Sequence, residues 1–190
     1  MNESSAANWN PRDLPPNVQL GEGSAIRGAT AFKRFASTRD VALLMGEHSL
    51  ADGVGFAIGP RGQITIGDYC YLSDCTLLSE LEIRIGNYAM IGWGTTISDS
   101  DFHPLDPAER IRDAIALSPI PQGTVRPQIE CRPVIIGDDV FIGPACTILK
   151  GITIGEGAFV EPGSVVTRDV PAHARVRGNP AAVLAGDEGA

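Results

Sequence analysis

Apolar positions in the C-terminal half of the chain recur every six residues. From Ile136 the step lands on Ile142, Ile148, Ile154, Val160 and Val166, all branched aliphatics. Gly137, Gly143 and Gly155 follow three of them, in the series IGDDVF, IGPACT, ILKGIT, IGEGAF, VEPGSV and VTRDVP. An amphipathic helix repeats at three and four residues and a half-buried strand at two, so a period of six fits neither. The same step runs upstream through Ile66, Leu72 and Leu78, then, after one extra residue, through Ile85, Ile91 and Ile97. Leu44, Leu50 and Phe56 form an earlier triplet, set off by a four-residue excess around Pro60 to Gln63, and Leu20, Ile26 and Phe32 form a looser first turn.

This pattern predicts a coil of short strands with a corner every six residues. The aliphatic points inward, and glycine often follows because it turns without a Cβ penalty. Four residues beyond each aliphatic stand Cys70, Thr76, Ala89, Thr95, Cys146, Ala158 and Ser164, small side chains suited to a cramped inward slot. That makes Cys70 and Cys146 core fillers. Glu82 and His48 depart from the trend. Three strands make one triangular turn, and turns stack about 4.8 Å apart. The repeat ends near Pro171, and GNPAAVLA at 178–185 reads as a C-terminal cap over the open edge. The expected class is all-β, a parallel β-helix. Residues 1–19 are read as an N-terminal extension, 20–185 as the β-helix domain and 186–190 as a tail.

Composition narrows the function. The 190 residues carry 15 Lys+Arg against 23 Asp+Glu, a formal charge of −8, which disfavours nucleic acid as a partner. No apolar run approaches the ~20 residues of a membrane span, and the N-terminus lacks a signal-peptide pattern. Cys70, Cys75, Cys131 and Cys146 have no CxxC spacing, which reads as reduced thiols in a cytoplasmic protein. His48, His103 and His173 are dispersed, so no metal site is expected.

Between Ile97 and Val134 the six-residue step stops, and a 98–133 insertion interrupts the coil. Loops this long inside a domain are usually functional or disordered. Asp106-Pro107-Ala108-Glu109 reads as an N-cap, a proline at the first helical position and a capping-box Glu, predicting a short helix to about Ile115. The rest, Ser118 to Pro133 with four further prolines, is expected to be extended and stiff, an arm able to reach a neighbouring subunit.

The IGDD, IGPA and IGEG series, the segment ISDSDFHPLDPAER, and VTRDVP followed by GNPA resemble the hexapeptide-repeat acyltransferases, in particular sugar and polysaccharide O-acetyltransferases related to the maltose and galactoside acetyltransferases. The resemblance covers roughly Leu20 to Leu184. It implies a left-handed parallel β-helix, a homotrimer with sites between subunits, and acetyl-CoA as acyl donor. It implies that His103 is the general base, deprotonating an acceptor hydroxyl as that oxygen attacks the thioester, a role a neutral imidazole can fill. Asp99 and Asp101 stand where they could fix its tautomer or remain solvated loop carboxylates.

The acceptor side is expected at Ser73, Asp74, Asp99, Asp101 and Phe141. Ser73 stands where those enzymes carry Asn, and Phe141 where they carry Trp. Thr167 and Arg168 match a coenzyme-contacting pair, with Arg175, Arg177 and Lys150 as further donor-side candidates. N-acyl transfer to an amino sugar and a non-catalytic β-helix scaffold are the alternatives.

Overall fold

The structure, a computed structural model, describes residues 14–120 and 123–184. Most of the extension read at 1–19 and the tail at 186–190 therefore lie outside the described residues.

The coil is clearest where the hexapeptides are unbroken. Strands Val134–Ile136, Phe141–Ile142 and Thr147–Ile148 occupy three successive faces, and Thr153–Ile154, Phe159–Val160 and Val165–Val166 repeat them one turn later. Ile136, Ile142 and Ile148 pair in parallel with Ile154, Val160 and Val166, each three hexapeptides further on. Extended over the described residues, this gives sheets of six, eight and five strands, parallel except for one terminal pair. The antiparallel hairpin of Arg175–Gly178 and Ala181–Val183 ends the eight-stranded face, where the sequence places a cap.

Most of the strands bury one or two apolar side chains, and together these fill a single core from Ile26 to Val176. The inward ladder of the eight-stranded face includes Ala51, Leu72, Ile91, Ile142 and Val160. Cys70 and Cys146 are buried beside it as the filler reading expects, and so is Cys75, whose thiol burial pushes up to about 12.

Upstream, the inward frame differs from the expected one by a residue. Met45 and Ala51 are buried where Leu44 and Leu50 were expected; Leu44 is exposed. Leu77 is buried and Leu78 only partly, so the small inward slot is Cys75 rather than Thr76. The slip arises because corners in these turns differ in length, so counting in sixes loses the face. It also resolves the two anomalies. The inward slot is Ser49, whose hydroxyl donates to Gly67 O at 2.9 Å, whereas His48 occupies the adjacent corner at φ 54° and lies against Tyr69. Glu82 precedes the buried Ile83 rather than filling the slot itself.

Glycine is required where turns press backbone on backbone. A Cβ at Gly86 would lie 2.7 Å from the carbonyl carbon of Gly137 in the next turn. Gly86→Ala is therefore expected to destabilise the fold by about 1–3 kcal/mol, the usual penalty of overpacking, read as a lower denaturant midpoint with an unchanged m-value.

Candidate active site

The insertion leaves the five-stranded face after Thr96–Ser98 and rejoins the coil at Val134–Ile136. Its base is closed by an antiparallel bridge between Ser100 and Cys131, with Asp101 N–H donating to Glu130 O at 3.2 Å and Arg132 N–H to Asp99 O at 2.8 Å. The arm's helix runs Pro107–Ala116, with Asp106 as N-cap accepting from Glu109 N–H at 2.9 Å, as the sequence predicts. The reciprocal half of the capping box does not form, because the Glu109 carboxylate pairs with Arg112 instead.

Arg110 and Asp113, three residues apart and so on one helical face, turn back onto the loop that precedes the helix. Arg110 donates to the carbonyls of Pro104 (3.1 Å) and Leu105 (2.7 Å). Asp113 is wholly buried, and its Oδ2 lies 2.6 Å from His103 Nδ1. Arg126, from the returning limb, donates through Nε to Asp113 Oδ1 at 2.7 Å and through a terminal nitrogen to Asp113 Oδ2 and Phe102 O, both at 3.2 Å. The Arg126 hydrogen bond, opposed by burial and aided by His103, holds the Asp113 carboxyl below the usual carboxylate range. An ionised carboxylate only accepts, so the proton on this contact belongs to Nδ1. In the neutral imidazole Nε2 then carries the free lone pair.

His103 itself is presented by a tight bend. Its N–H donates to Asp101 O at 2.7 Å, and Phe102 between them adopts φ 64°. The imidazole is about half exposed and lines a cleft of about 500 Å³. The same cleft is lined by Glu80, Arg126, Lys33, Arg34 and Phe35. Burial raises the Glu80 carboxyl, with Arg126 opposing.

The other anticipated residues are dispersed. Among the described residues Asp99 has no hydrogen bond to His103, whose partner is Asp113. Asp99 is fully buried, and its carboxylate accepts from the Ser79 hydroxyl and from the N–H groups of Glu80, Leu81 and Glu82 at 2.6–2.8 Å, organising the corner beneath the cleft. Asp101 receives Lys150 at 2.9 Å instead of the imidazole, so Lys150 ties the arm to the coil rather than standing free for a phosphate. Ser73, Asp74 and Phe141 belong to the eight-stranded face and do not line the His103 cleft. Phe141 stacks on Phe159 with ring centroids 4.5 Å apart. Arg175 lies over Phe159 and pairs with Glu161. Arg177 follows on that face, whereas Thr167 and Arg168 are exposed beyond the last strand of the five-stranded one. One chain thus separates the donor candidates onto two faces. Among the described residues no group of three or more His, Cys, Asp or Glu side chains could hold a metal ion. No helix among them is long and apolar enough to cross a membrane.

Sequence reasoning missed Asp113, Arg126 and Glu80. Asp113 had one available signal, its place on the helix face shared with Arg110, which turns toward the preceding loop.

Coil and arm together define a left-handed parallel β-helix of hexapeptide repeats carrying a histidine on an inserted arm. Residues 133–168 match the family described as bacterial transferase hexapeptide (six repeats). A 2,3,4,5-tetrahydropyridine-2,6-dicarboxylate N-acetyltransferase of Staphylococcus aureus (strain JH9) is 50% identical over 62 residues, 33% of this chain and 26% of the relative. The match thus spans about a quarter of that curated relative. A crystal structure of a hexapeptide-repeat-containing acetyltransferase from Vibrio cholerae is 32% identical with a TM-score of 0.56, covering 69% of this chain and 65% of the other. The form complexed with acetyl coenzyme A, from Vibrio cholerae O1 biovar eltor, is 26% identical with a TM-score of 0.55, covering 90% of this chain and 72% of that one.

Proposed function

We propose that this protein transfers an acetyl group from acetyl-CoA to a hydroxyl of a saccharide or glycoconjugate, with His103 as general base. The observation that carries the reading is the 2.6 Å contact from His103 Nδ1 to a buried Asp113 at the mouth of a cleft. Nε2 takes the acceptor O–H proton as the oxygen attacks the thioester carbon. The resulting tetrahedral oxyanion collapses by breaking the C–S bond, and the imidazolium returns the proton to the departing coenzyme A thiolate. Because the thioester is already activated, no acyl-enzyme is needed, and His103 serves both proton transfers. The Vibrio cholerae acetyltransferase complexed with acetyl coenzyme A supports this donor. A cytoplasmic location follows from the donor and suits the four free cysteines.

Transfer to an amine is the second reading, favoured by the matched Staphylococcus aureus segment, which belongs to an N-acetyltransferase. Release of coenzyme A thiol in the presence of paired hydroxy and amino sugars separates the two: turnover confined to the amino sugars replaces the O-acyl reading.

The assembly proposed with this function is a homotrimer. Tyr71, Met90, Phe141 and Phe159 stand in one outward column across adjacent strands of the eight-stranded face, and Tyr71 and Met90 are exposed. Such a stripe is unusual for a free surface. A neighbouring copy packed there would bring Ser73, Asp74 and Phe141 toward the His103 arm. Sedimentation is expected to show a species of three times the 20.0 kDa chain mass; a monomer throughout contradicts the shared site.

A further inference from the structure

The cleft lined by His103 runs away from the arm as far as Lys33 and Arg34. These residues lie beside strand Gly55–Ile58: Ile58 N–H donates to Arg34 O at 3.1 Å, and Ala36 N–H to Ile58 O at 2.8 Å. Ile58 pairs with Ser79, and Asp99 N–H bonds Leu78 O at 3.2 Å. The backbone of Arg34 is therefore three strand spacings from the base of the arm, roughly 14 Å at ~4.8 Å per strand. The cleft's volume of about 500 Å³ accommodates a monosaccharide carrying a charged substituent.

The charge along this path reverses that of the whole molecule. The chain has net charge −8, yet Lys33 and Arg34 line the far end of the cleft, both exposed. Neither has an acidic side chain paired with it among the described residues; the third cation of the cleft, Arg126, is occupied by Asp113. Between the two ends sits Glu80, half-buried, its carboxylate lying across Gly59, which also lines the cleft. Its oxygens are acceptors without a hydrogen-bond donor among the described residues.

We infer that the acceptor carries an anionic group, a phosphate or a carboxylate, which Lys33 and Arg34 hold while Glu80 accepts a hydrogen bond from a hydroxyl of the same molecule nearer His103. The inference rests on acyl transfer at His103 and names the acceptor class for it. Arg34 supplies the planar fork that matches either anion, and Lys33 a mobile second charge.

Calorimetry of the full chain with glucose, glucose 1-phosphate, glucose 6-phosphate and glucuronate tests this. At least one charged sugar is expected to bind about tenfold or more tighter than glucose, as a charge-assisted contact provides, and which one does so distinguishes phosphate from carboxylate. The Lys33→Ala/Arg34→Ala double variant is expected to lose that preference while keeping its melting temperature and its affinity for acetyl-CoA. Three results overturn the inference: no charged sugar exceeds glucose, the preference survives the double substitution, or the substitution weakens acetyl-CoA binding instead. The last would assign these cations to the donor's phosphates. His103→Ala should keep the sugar preference, so failure of the transfer chemistry and failure of the anion site are read separately.

Discussion

Replacing His103 with alanine is expected to lower the acetyl-CoA-dependent turnover number by about 10²–10⁴-fold, the contribution of a positioned general base. The side chain is half exposed on an arm fastened independently by Arg110, Lys150 and the Ser100–Cys131 bridge. The substitution should therefore leave the melting temperature and the affinity for acetyl-CoA close to those of the parent. A loss confined to turnover is what distinguishes a base from a structural residue. An undiminished turnover number removes His103 from the chemistry and leaves the cleft without a proton acceptor in the assigned position.

The second large effect is expected at Asp113. Asp113→Asn keeps the volume of a wholly buried side chain but replaces an oxygen that only accepts with an amide that also donates. The Nδ1–H tautomer is then no longer enforced, and turnover should fall by about 10²–10⁴-fold, as when the orienting carboxylate of a catalytic histidine is neutralised. The pH dependence has a definite sign. The Arg126 hydrogen bond depresses the folded-state pKa of Asp113, so its contribution to stability is present above the unfolded carboxylate value of about 3.9 and disappears as pH falls through the lower folded one. Resistance of the arm to proteolysis should persist to pH 4–5 (about the ordinary carboxylate range) and decline only below it. Arg126→Ala removes the main cause of the depression and should move that decline to higher pH. In Asp113→Asn this acid transition should be absent. An identical acid profile in all three proteins would show that the Asp113 carboxylate does not hold the arm.

The faces of the coil could be read from sequence wherever its corners have uniform length. From Ile136 to Val166 each turn is three hexapeptides, so counting in sixes keeps every aliphatic inside. Upstream the corners vary, and counting placed Leu44, Leu50 and Leu78 in slots that Met45, Ala51 and Leu77 occupy. The helix was legible because its signals are local: the Asp106 cap and Pro107 act within one turn. His103 stood out through the family string around it, but its partner did not. Asp113 is ten residues away and reaches the imidazole only because Arg110 and Arg126 fold the helix back on its own loop. Asp99, the nearer carboxylate in sequence, is consumed by three backbone N–H groups of a different turn. Lys33, Arg34 and Glu80 carry no motif at all; the return of the 34–36 segment along strand Gly55–Ile58 brings the first two to the cleft, and the corner held by Asp99 brings the third.

The central claim is transfer from acetyl-CoA rather than scaffolding by an inert coil. The most direct test is titration of the intact protein with acetyl-CoA in a calorimeter, with coenzyme A thiol release followed in parallel over a panel of saccharides. Saturable binding, with turnover on at least one acceptor, is the predicted result. An absence of binding at millimolar acetyl-CoA would contradict the account and leave the coil as an assembly element.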